Sequence, residues 1–294
     1  MSPEQFLSWM EAKSKPALQA IAEKPLIMGI VNVTADSFSD GGRFLSLKNA
    51  CTQVVTLIEQ GADLIDIGGE STKPGAIKVP LEIELARVIP VIEHLRKSSD
   101  IAVSIDTYKP EVMNAAVNAG ANIINDVYAL RSAGALAMAA KLAVPVCLMH
   151  MQGEPQNMQI NPRYPHGVIA EVTQFFMERI AACKGMGISK SNLILDPGFG
   201  FGKRAQHNLQ LMKQVNVFRQ FNLPVLLGVS RKSTIGDILG LNIDQRLMGS
   251  IALAVYAMLH GVNIIRTHDV EQTNQALKMT DAILQIEEET DEST

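Results

Sequence analysis

The sequence predicts a parallel (β/α)8 barrel, a TIM barrel, built as a single domain, and three observations carry that expectation. Short apolar, β-branched runs recur eight times along the 294 residues. Amphipathic helical spacing fills the intervals between them. Behind each run stands a polar group able to bind a ligand. Nearly continuous apolar runs suit parallel strands, because helices cover both faces of such a sheet and leave neither face wet. Eight strands alternating with helices over this length fit a barrel. A doubly wound open sheet is the alternative, but it wants a Gly-rich dinucleotide turn after its first strand, and none appears.

Residues 1–24 read as a short N-terminal helical extension, with Phe6, Met10, Ala17 and Ile21 spaced to plug or flank the barrel. The barrel is expected over 25–286. Its strand candidates are Leu26–Asn32, Leu64–Gly69, Ile101–Asp106, Ala121–Asp126, Pro145–His150, Leu193–Gly198, Pro224–Ser230 and Asn263–Asp269. Between them, Leu47, Cys51, Val54 and Ile58 share one helical face, with Gly61 as a stop. Leu81, Leu85, Val88, Ile92 and Leu95 form a second stripe, Leu211, Val215 and Phe218 a third, and Ala276, Met279 and Ile283 the last. The acidic end, 287–294, is expected to be a disordered, solvated tail.

Composition narrows the function class. Apolar residues make up 47% of the chain, enough for a substantial core. The apolar runs are strand-length, well below the ~20 residues of a membrane span, so no membrane association is expected. The N-terminus lacks a positive region followed by an apolar stretch, so no signal peptide is expected. The net charge of −4, with Lys and Arg dispersed, lacks the footprint of a nucleic-acid binder. Cys51, Cys147 and Cys183 form neither a zinc pattern nor a disulfide framework, which favours a reducing cytoplasm.

The polar residues collect at the C-terminal ends of the strands, the face that carries the active site in TIM barrels. In order they are Asn32, the run Glu70-Ser71-Thr72-Lys73, Asp106, Asn125-Asp126, His150, Asp196, Ser230-Arg231-Lys232-Ser233, and Arg266 with His268. Asp126 reads as the cap of the following helix. Asp106 is free for a ligand, because Pro110 can start the next helix and leave Thr107 or Lys109 near the cap. Asp196 precedes "PGFGF", which suits a turn but offers few local partners to a carboxylate. His150 reads as a packed, hydrogen-bonded side chain. Arg266 and His268 alternate with Thr267 and point to one side. With Arg231 and Lys232 they converge where TIM barrels commonly hold phosphate. "GFGFGK" resembles a P-loop but has Pro197 for its first Gly and Arg204 for Ser or Thr. "GESTKPG" does not run straight into a helix, and "HMQGEP" lacks the second His of a zinc helix.

Taken together, "MGIVNVTADSFSDGG", "GADLIDIGGESTKPGA", "SIDT", "INDV", "LMHMQG", "DPGFGFGK", "GVSRKS" and "RTHDV" resemble the dihydropteroate synthase family in order and spacing, from about Pro25 into the closing helix. The resemblance implies an enzyme of folate synthesis that joins 6-hydroxymethyl-7,8-dihydropterin diphosphate to 4-aminobenzoate. It releases pyrophosphate, with Mg²⁺ on the diphosphate and sulfonamides as competitive mimics of the aminobenzoate. It further implies pterin contacts from Asp106, Asn125, Asp196 and Lys232. Diphosphate contacts fall on Asn32, Thr72, Arg266 and His268, with Asn32 also the metal contact. An aminobenzoate site falls on Thr72, Lys73, Pro74, Phe201 and Ser233. Asp36, Lys232, Arg266 and His268 match the catalytic positions. The family is usually dimeric through its later helices, and the apolar segment Leu247–Leu259 fits such an interface or a buried core helix equally.

The implied chemistry is dissociative substitution at the pterin methylene carbon, in which diphosphate departs before or as the aromatic amine attacks. The long polar loop after the first strand then reads as a lid, with Asp36, Ser37 and Phe38 ordering over substrate, Gly41-Gly42 as hinge and Ser71 on a second mobile loop. Two positions depart from the family pattern. Lys73 replaces an Arg that could stack and bond in two places, and Ala35 replaces a Pro. A pterin-dependent methyltransferase domain, a non-catalytic pterin binder and a sugar-phosphate aldolase are the competing readings. The two intact loops and "SRKS" oppose the first, the retained Asp36, Lys232, Arg266 and His268 the second, and the placement of Lys232 beyond its strand the third.

Overall fold

The structure, a computed structural model, describes residues 1–14, 23–34, 42–73 and 75–286. Eight parallel strands form the barrel: β1 (Leu26–Asn32), β2 (Leu64–Gly68), β3 (Ala102–Asp106), β4 (Ile123–Asp126), β5 (Val146–Met149), β6 (Leu193–Asp196), β7 (Leu226–Gly228) and β8 (Ile264–Thr267). The sheet runs β6-β5-β4-β3-β2-β1-β8-β7. Its ends meet where the Leu195 amide donates to the Pro224 carbonyl at 2.9 Å, beside a parallel bridge between Leu195 and Val225. This is the expected (β/α)8 barrel, and the first strand has the bounds the sequence indicated.

The interior is layered because side chains alternate along each strand. Met28, Leu64, Ala102, Ile123, Cys147, Ile194, Leu226 and Ile264, one from each strand, form an apolar floor. The opposite faces, among them Ile27, Ile65, Val103, Ile124, Leu148, Leu195 and Ile265, pack in the main core under the helices. Helix α1 (Pro3–Lys13) closes the bottom by packing Phe6 and Met10 on that floor. Ser2 and Gln5 form its capping box, the Met1 ammonium donates to the Asp63 carbonyl at 3.0 Å, and the Met1 carbonyl accepts from Ala102 at 2.9 Å. Ala17 and Ile21 lie outside the described residues, as does the acidic tail. Phe6 is fully buried, so Phe6→Ala leaves a cavity beneath the barrel and is expected to cost about 3–5 kcal/mol. Urea unfolding checks this; an unchanged midpoint would show that α1 does not stabilise the floor.

Three helical expectations change in detail. Helix α2 (Gly42–Glu59) starts five residues before Leu47, since an apolar stripe marks where a helix is amphipathic and not where its hydrogen bonding begins. Between α2 and the seventh strand lie α3 (Leu81–Arg96), α4 (Pro110–Asn118), α5 (Ala135–Leu142), α6 (Val168–Gly185) and α7 (Ala205–Lys213). The Leu211, Val215, Phe218 stripe is buried, but it crosses from α7 into a 3-10 helix over Val215–Phe221. After α8 (Ser233–Leu239) and α9 (Leu247–Leu259), α10 (Val270–Leu284) turns the other way from the stripe read in it. Met279 and Ile283 are 63% and 62% exposed, while Val270, Thr273, Asn274 and Leu277 are buried. Two polar residues can line the buried face because both find partners: Thr273 donates to the Asp269 carbonyl and Asn274 to that of Gln60.

Candidate active site

Directly above the apolar floor, the next inward positions are Ile30, Asp66, Ser104, Asn125, Met149, Asp196, Gly228 and Arg266. The barrel thus changes within one layer from wholly apolar to largely polar. Arg266 reaches across it: Nε donates to Asp66 Oδ2 at 2.6 Å and Nη2 to Asp106 Oδ2 at 2.8 Å. Asn125 Nδ2 donates to Asp66 Oδ2 at 3.3 Å. Among the described residues, Asp106 Oδ1 and Ser104 Oγ are buried without a hydrogen-bond partner. An orphaned carboxylate oxygen at the bottom of an open mouth is an acceptor waiting for a donor.

Charge at this end of the barrel is unbalanced. Asp66, Asp106 and Asp196 are anionic in full ionisation, against the cations Arg266 and Lys232. Burial pushes Asp106 up to about 7 despite the Arg266 guanidinium beside it, and the Asp66 carboxylate adds to the rise. Asp196 is likewise raised by burial, against the amide of Gly198, which donates to its Oδ1 at 2.8 Å. Burial pulls Lys232 down to about 8, assisted by the like charge of Arg266. For Arg266 burial opposes the charge, but Asp66 and Asp106 outweigh it and hold the guanidinium firmly protonated.

Lys232 leaves the end of β7 as the cap residue of α8, and its Nζ lies 4.0 Å from the centroid of the Phe201 ring. Its stem runs along Gly200, where an added Cβ would stand 3.1 Å from Lys232 Cδ. His268 Nδ1 lies 3.0 Å from Ser230 Oγ, and burial, then the Arg266 and Arg231 charges, lowers the imidazole to about 3. His268 is therefore neutral at pH 7. Arg231 departs from the convergence read in the sequence. Its side chain turns to an ion pair with Asp269, Nε to Oδ2 at 3.1 Å, because its left-handed backbone (φ 57°) directs it away from the mouth.

The remaining candidates sit on the loops around this mouth. Asn32 ends β1 half-buried and makes no side-chain hydrogen bond among the described residues. Ser71 and Thr72 are half-buried and Lys73 exposed, with Ser71 Oγ accepting from the Lys73 amide at 3.4 Å. Ser233 is the exposed first residue of α8. Asp36, Ser37, Phe38, Gly41 and Pro74, with Ala35, lie outside the described residues, and Gly42 opens α2.

The loop after β2 is tethered by a buried network. Lys109 Nζ donates to Glu70 Oε2 at 2.7 Å, to the Val79 carbonyl at 2.6 Å and to Glu84 Oε2. Tyr108 donates to Glu70 Oε1 at 2.9 Å and Thr107 to Glu84 Oε1 at 2.7 Å. Thr107 Oγ1 also accepts from the Lys109 amide ahead of α4, so Asp106 does not cap that helix. Asp126 caps a turn and not a helix: it accepts from the Tyr128 and Leu130 amides at 2.7 and 2.8 Å, and α5 begins only at Ala135.

Sequence reasoning missed Asp66, Glu84 and Lys203. Asp66 had a signal, a lone carboxylate inside the otherwise apolar "LIDIG". Glu84, among the acids of the first turn of α3, had none.

Comparison with known proteins agrees with this geometry. Residues 28–268 match the family model of pterin binding enzymes. The dihydropteroate synthase of Escherichia coli K12 is 50% identical over 264 residues, covering 90% of this chain and 93% of that protein. Among solved structures, the Xanthomonas albilineans dihydropteroate synthase with 4-aminobenzoic acid superposes with a TM-score of 0.85 at 48% identity. The Yersinia pestis enzyme in complex with a sulfonamide drug gives 0.85 at 47%; both alignments cover 90% of this chain and 95% of the other. The matched region runs from within the first strand through the eighth, and on this footing the chain belongs to the pterin-binding enzymes and, among them, to the dihydropteroate synthases.

Proposed function

We infer that the barrel mouth binds 6-hydroxymethyl-7,8-dihydropterin diphosphate and 4-aminobenzoate and joins them to 7,8-dihydropteroate and pyrophosphate. The observation that carries this reading is the buried, unpartnered Asp106 Oδ1 at an end of the barrel with more carboxylates than cations. A pterin edge presents adjacent N–H groups, a fork that carboxylates accept well. Asp106, Asn125 and Asp196 are its proposed partners, and Lys232 donates to the ring carbonyl or nitrogen. Arg266, His268, Asn32 and Thr72 are proposed around the diphosphate. Phe201, Lys73, Pro74 and Ser233 are proposed for the aminobenzoate.

In the reaction the methylene C–O bond to the diphosphate breaks, the amine nitrogen forms the C–N bond, and one amine proton is lost. Arg266 stabilises the departing charge, and the pocket holds the amine in line. Among the described residues no group of three His, Cys, Asp or Glu could hold a metal by itself. Among the described residues the Asn32 side chain makes no hydrogen bond, so its amide oxygen would be available to help hold a Mg²⁺ brought with the diphosphate. When bound, Mg²⁺ neutralises charge on the leaving group. Asp36 and Phe38 keep their proposed part in the closing loop on the family resemblance alone; protection from proteases only with substrate bound supports it.

Sulfonamides are proposed to compete at the aminobenzoate site, with Lys73 a point-charge contact in place of a stacking one. Two copies are proposed to pair through α9 and α10. Met248, Tyr256 and Leu259 form an exposed stripe on α9, and Met279 and Ile283 are exposed on α10. A monomer in analytical ultracentrifugation would remove that pairing. Residence in the cytoplasm is supported by three free thiols, and no helix among the described residues is long and apolar enough to cross a membrane. The reaction is tested by incubating the purified protein with Mg²⁺ and pterin diphosphate, with and without 4-aminobenzoate. Dihydropteroate forming only with both substrates supports it; tight pterin binding with no coupled product refutes it.

A further inference from the structure

The lysine of "GFGFGK" is left over by the site above. Lys203 follows a loop that resembles a nucleotide-binding turn, yet its side chain turns inward and is 3% exposed. Nζ lies 2.9 Å from the Gly198 carbonyl, 3.1 Å from that of Phe201 and 2.9 Å from His150 Nδ1. Three acceptors use all three donors of an ammonium. Because Nδ1 of His150 accepts, its proton stands on Nε2, and burial together with the Lys203 charge keeps the ring neutral. No carboxylate forms an ion pair with Lys203 among the described residues, and burial lowers the ammonium to about 7. A buried lysine without a counter-ion is a poor way to fill a core. It is a good way to hold carbonyls that have no helix or strand to pair with.

The rest of the 198–202 loop is held in the same manner. Gln159 donates to the Gly200 carbonyl at 2.8 Å, Tyr164 to that of Gly202 at 2.8 Å, and Asn208 accepts from the Gly200 amide at 2.9 Å. Gly198 is obligatory, since its φ is 68° and a Cβ would stand 1.8 Å from the His150 carbonyl. The loop carries Phe201, whose ring covers the Lys232 ammonium. We propose that Lys203 is a positioning residue for the second substrate: its ammonium fixes the 198–202 loop from inside, and so sets the Phe201 ring as a wall of the aminobenzoate site. This rests on the synthase reading and extends it to a residue that does not touch substrate.

The test is steady-state kinetics of Lys203→Met and Gln159→Ala in the full-length enzyme. Met fills the stem's volume and removes the donors; Gln159 grips the same loop from outside and is only half-buried. Lys203→Met is expected to raise KM for 4-aminobenzoate tenfold or more while KM for the pterin diphosphate stays within twofold. Gln159→Ala is expected to shift the same constant about threefold. Equal changes in both KM values, or none, overturn the proposal. If Lys203→Met does not fold, Gln159→Ala decides: a split supports the proposal and no split refutes it. A failed synthase reading is separate, since it leaves the wild type itself without product.

Discussion

Arg266→Met is expected to lower kcat/KM by about 10³-fold and to destabilise the folded protein by about 3–5 kcal/mol at neutral pH. The two losses share one cause. The guanidinium is the only cation in ion-pair contact with Asp66 and Asp106 among the described residues, at 2.6 and 2.8 Å. Removing it takes an anchor from the leaving group and leaves two buried carboxylates without a paired cation. The sign of the pH dependence follows. Asp106 already stands near 7 in the fold, above its unfolded value, and rises further without Arg266. Between the unfolded value and the folded one, the folded state holds the extra proton, so stability falls as pH rises through that window. From pH 5 to about 7 both proteins hold that proton, so the variant's deficit is nearly constant there and grows as pH rises above 7, where only wild type releases it. Denaturant unfolding at pH 6 and pH 8.5 checks this, and a deficit that shrinks as pH rises above 7 would contradict the pairing.

Lys232→Met is expected to separate activity from stability. Its ammonium forms no ion pair among the described residues, lies over the Phe201 ring and is lowered to about 8 by burial. Methionine keeps the packing of the stem on Gly200 and Phe201 without a desolvated charge. Loss of one preorganised donor predicts a fall in kcat/KM of about 10²–10³, with a melting temperature within a few degrees of wild type. The linkage runs opposite to that of Asp106. A lysine depressed from 10.5 to about 8 makes the wild type gain stability from pH 8 toward 10, because the unfolded chain holds the extra proton there. The variant lacks that rise. Wild-type activity falls above about pH 8 if the charged form donates to the pterin. A wild-type rate undiminished up to pH 10, or a variant with full activity, would exclude Lys232 from the site.

Much of this site was legible in the sequence because barrels put chemistry at strand ends. Asn125, Asp196 and Arg266 each stand two residues beyond an apolar floor residue and Asp106 four beyond Ala102, so period-2 alternation carries them inward. What was illegible depends on where side chains turn after leaving the backbone. Arg231 and Lys232 are neighbours in "SRKS", yet the left-handed backbone at Arg231 sends one to Asp269 and leaves the other to the pocket. Glu84 and Lys109 are 25 residues apart and meet only because α3 and α4 lie side by side. The outward stripe of α10 was misread because hydrophobicity was taken for burial. Thr273 and Asn274 bury instead, each with a donor paired to a backbone carbonyl.

The most direct measurement is calorimetric binding of 6-hydroxymethylpterin, without its diphosphate, to wild type and Asp106→Asn between pH 6 and 8.5. Leaving out the diphosphate keeps phosphate ionisation from entering the profile. An ionised Asp106 Oδ1 accepting the pterin edge predicts wild-type affinity that tightens roughly tenfold per pH unit up to about 7 and then levels. Asp106→Asn should bind more weakly at pH 8 and show no such slope. A variant that binds as tightly as wild type, with the same pH profile, would mean that the orphaned oxygen at the barrel's centre is not where the pterin is held.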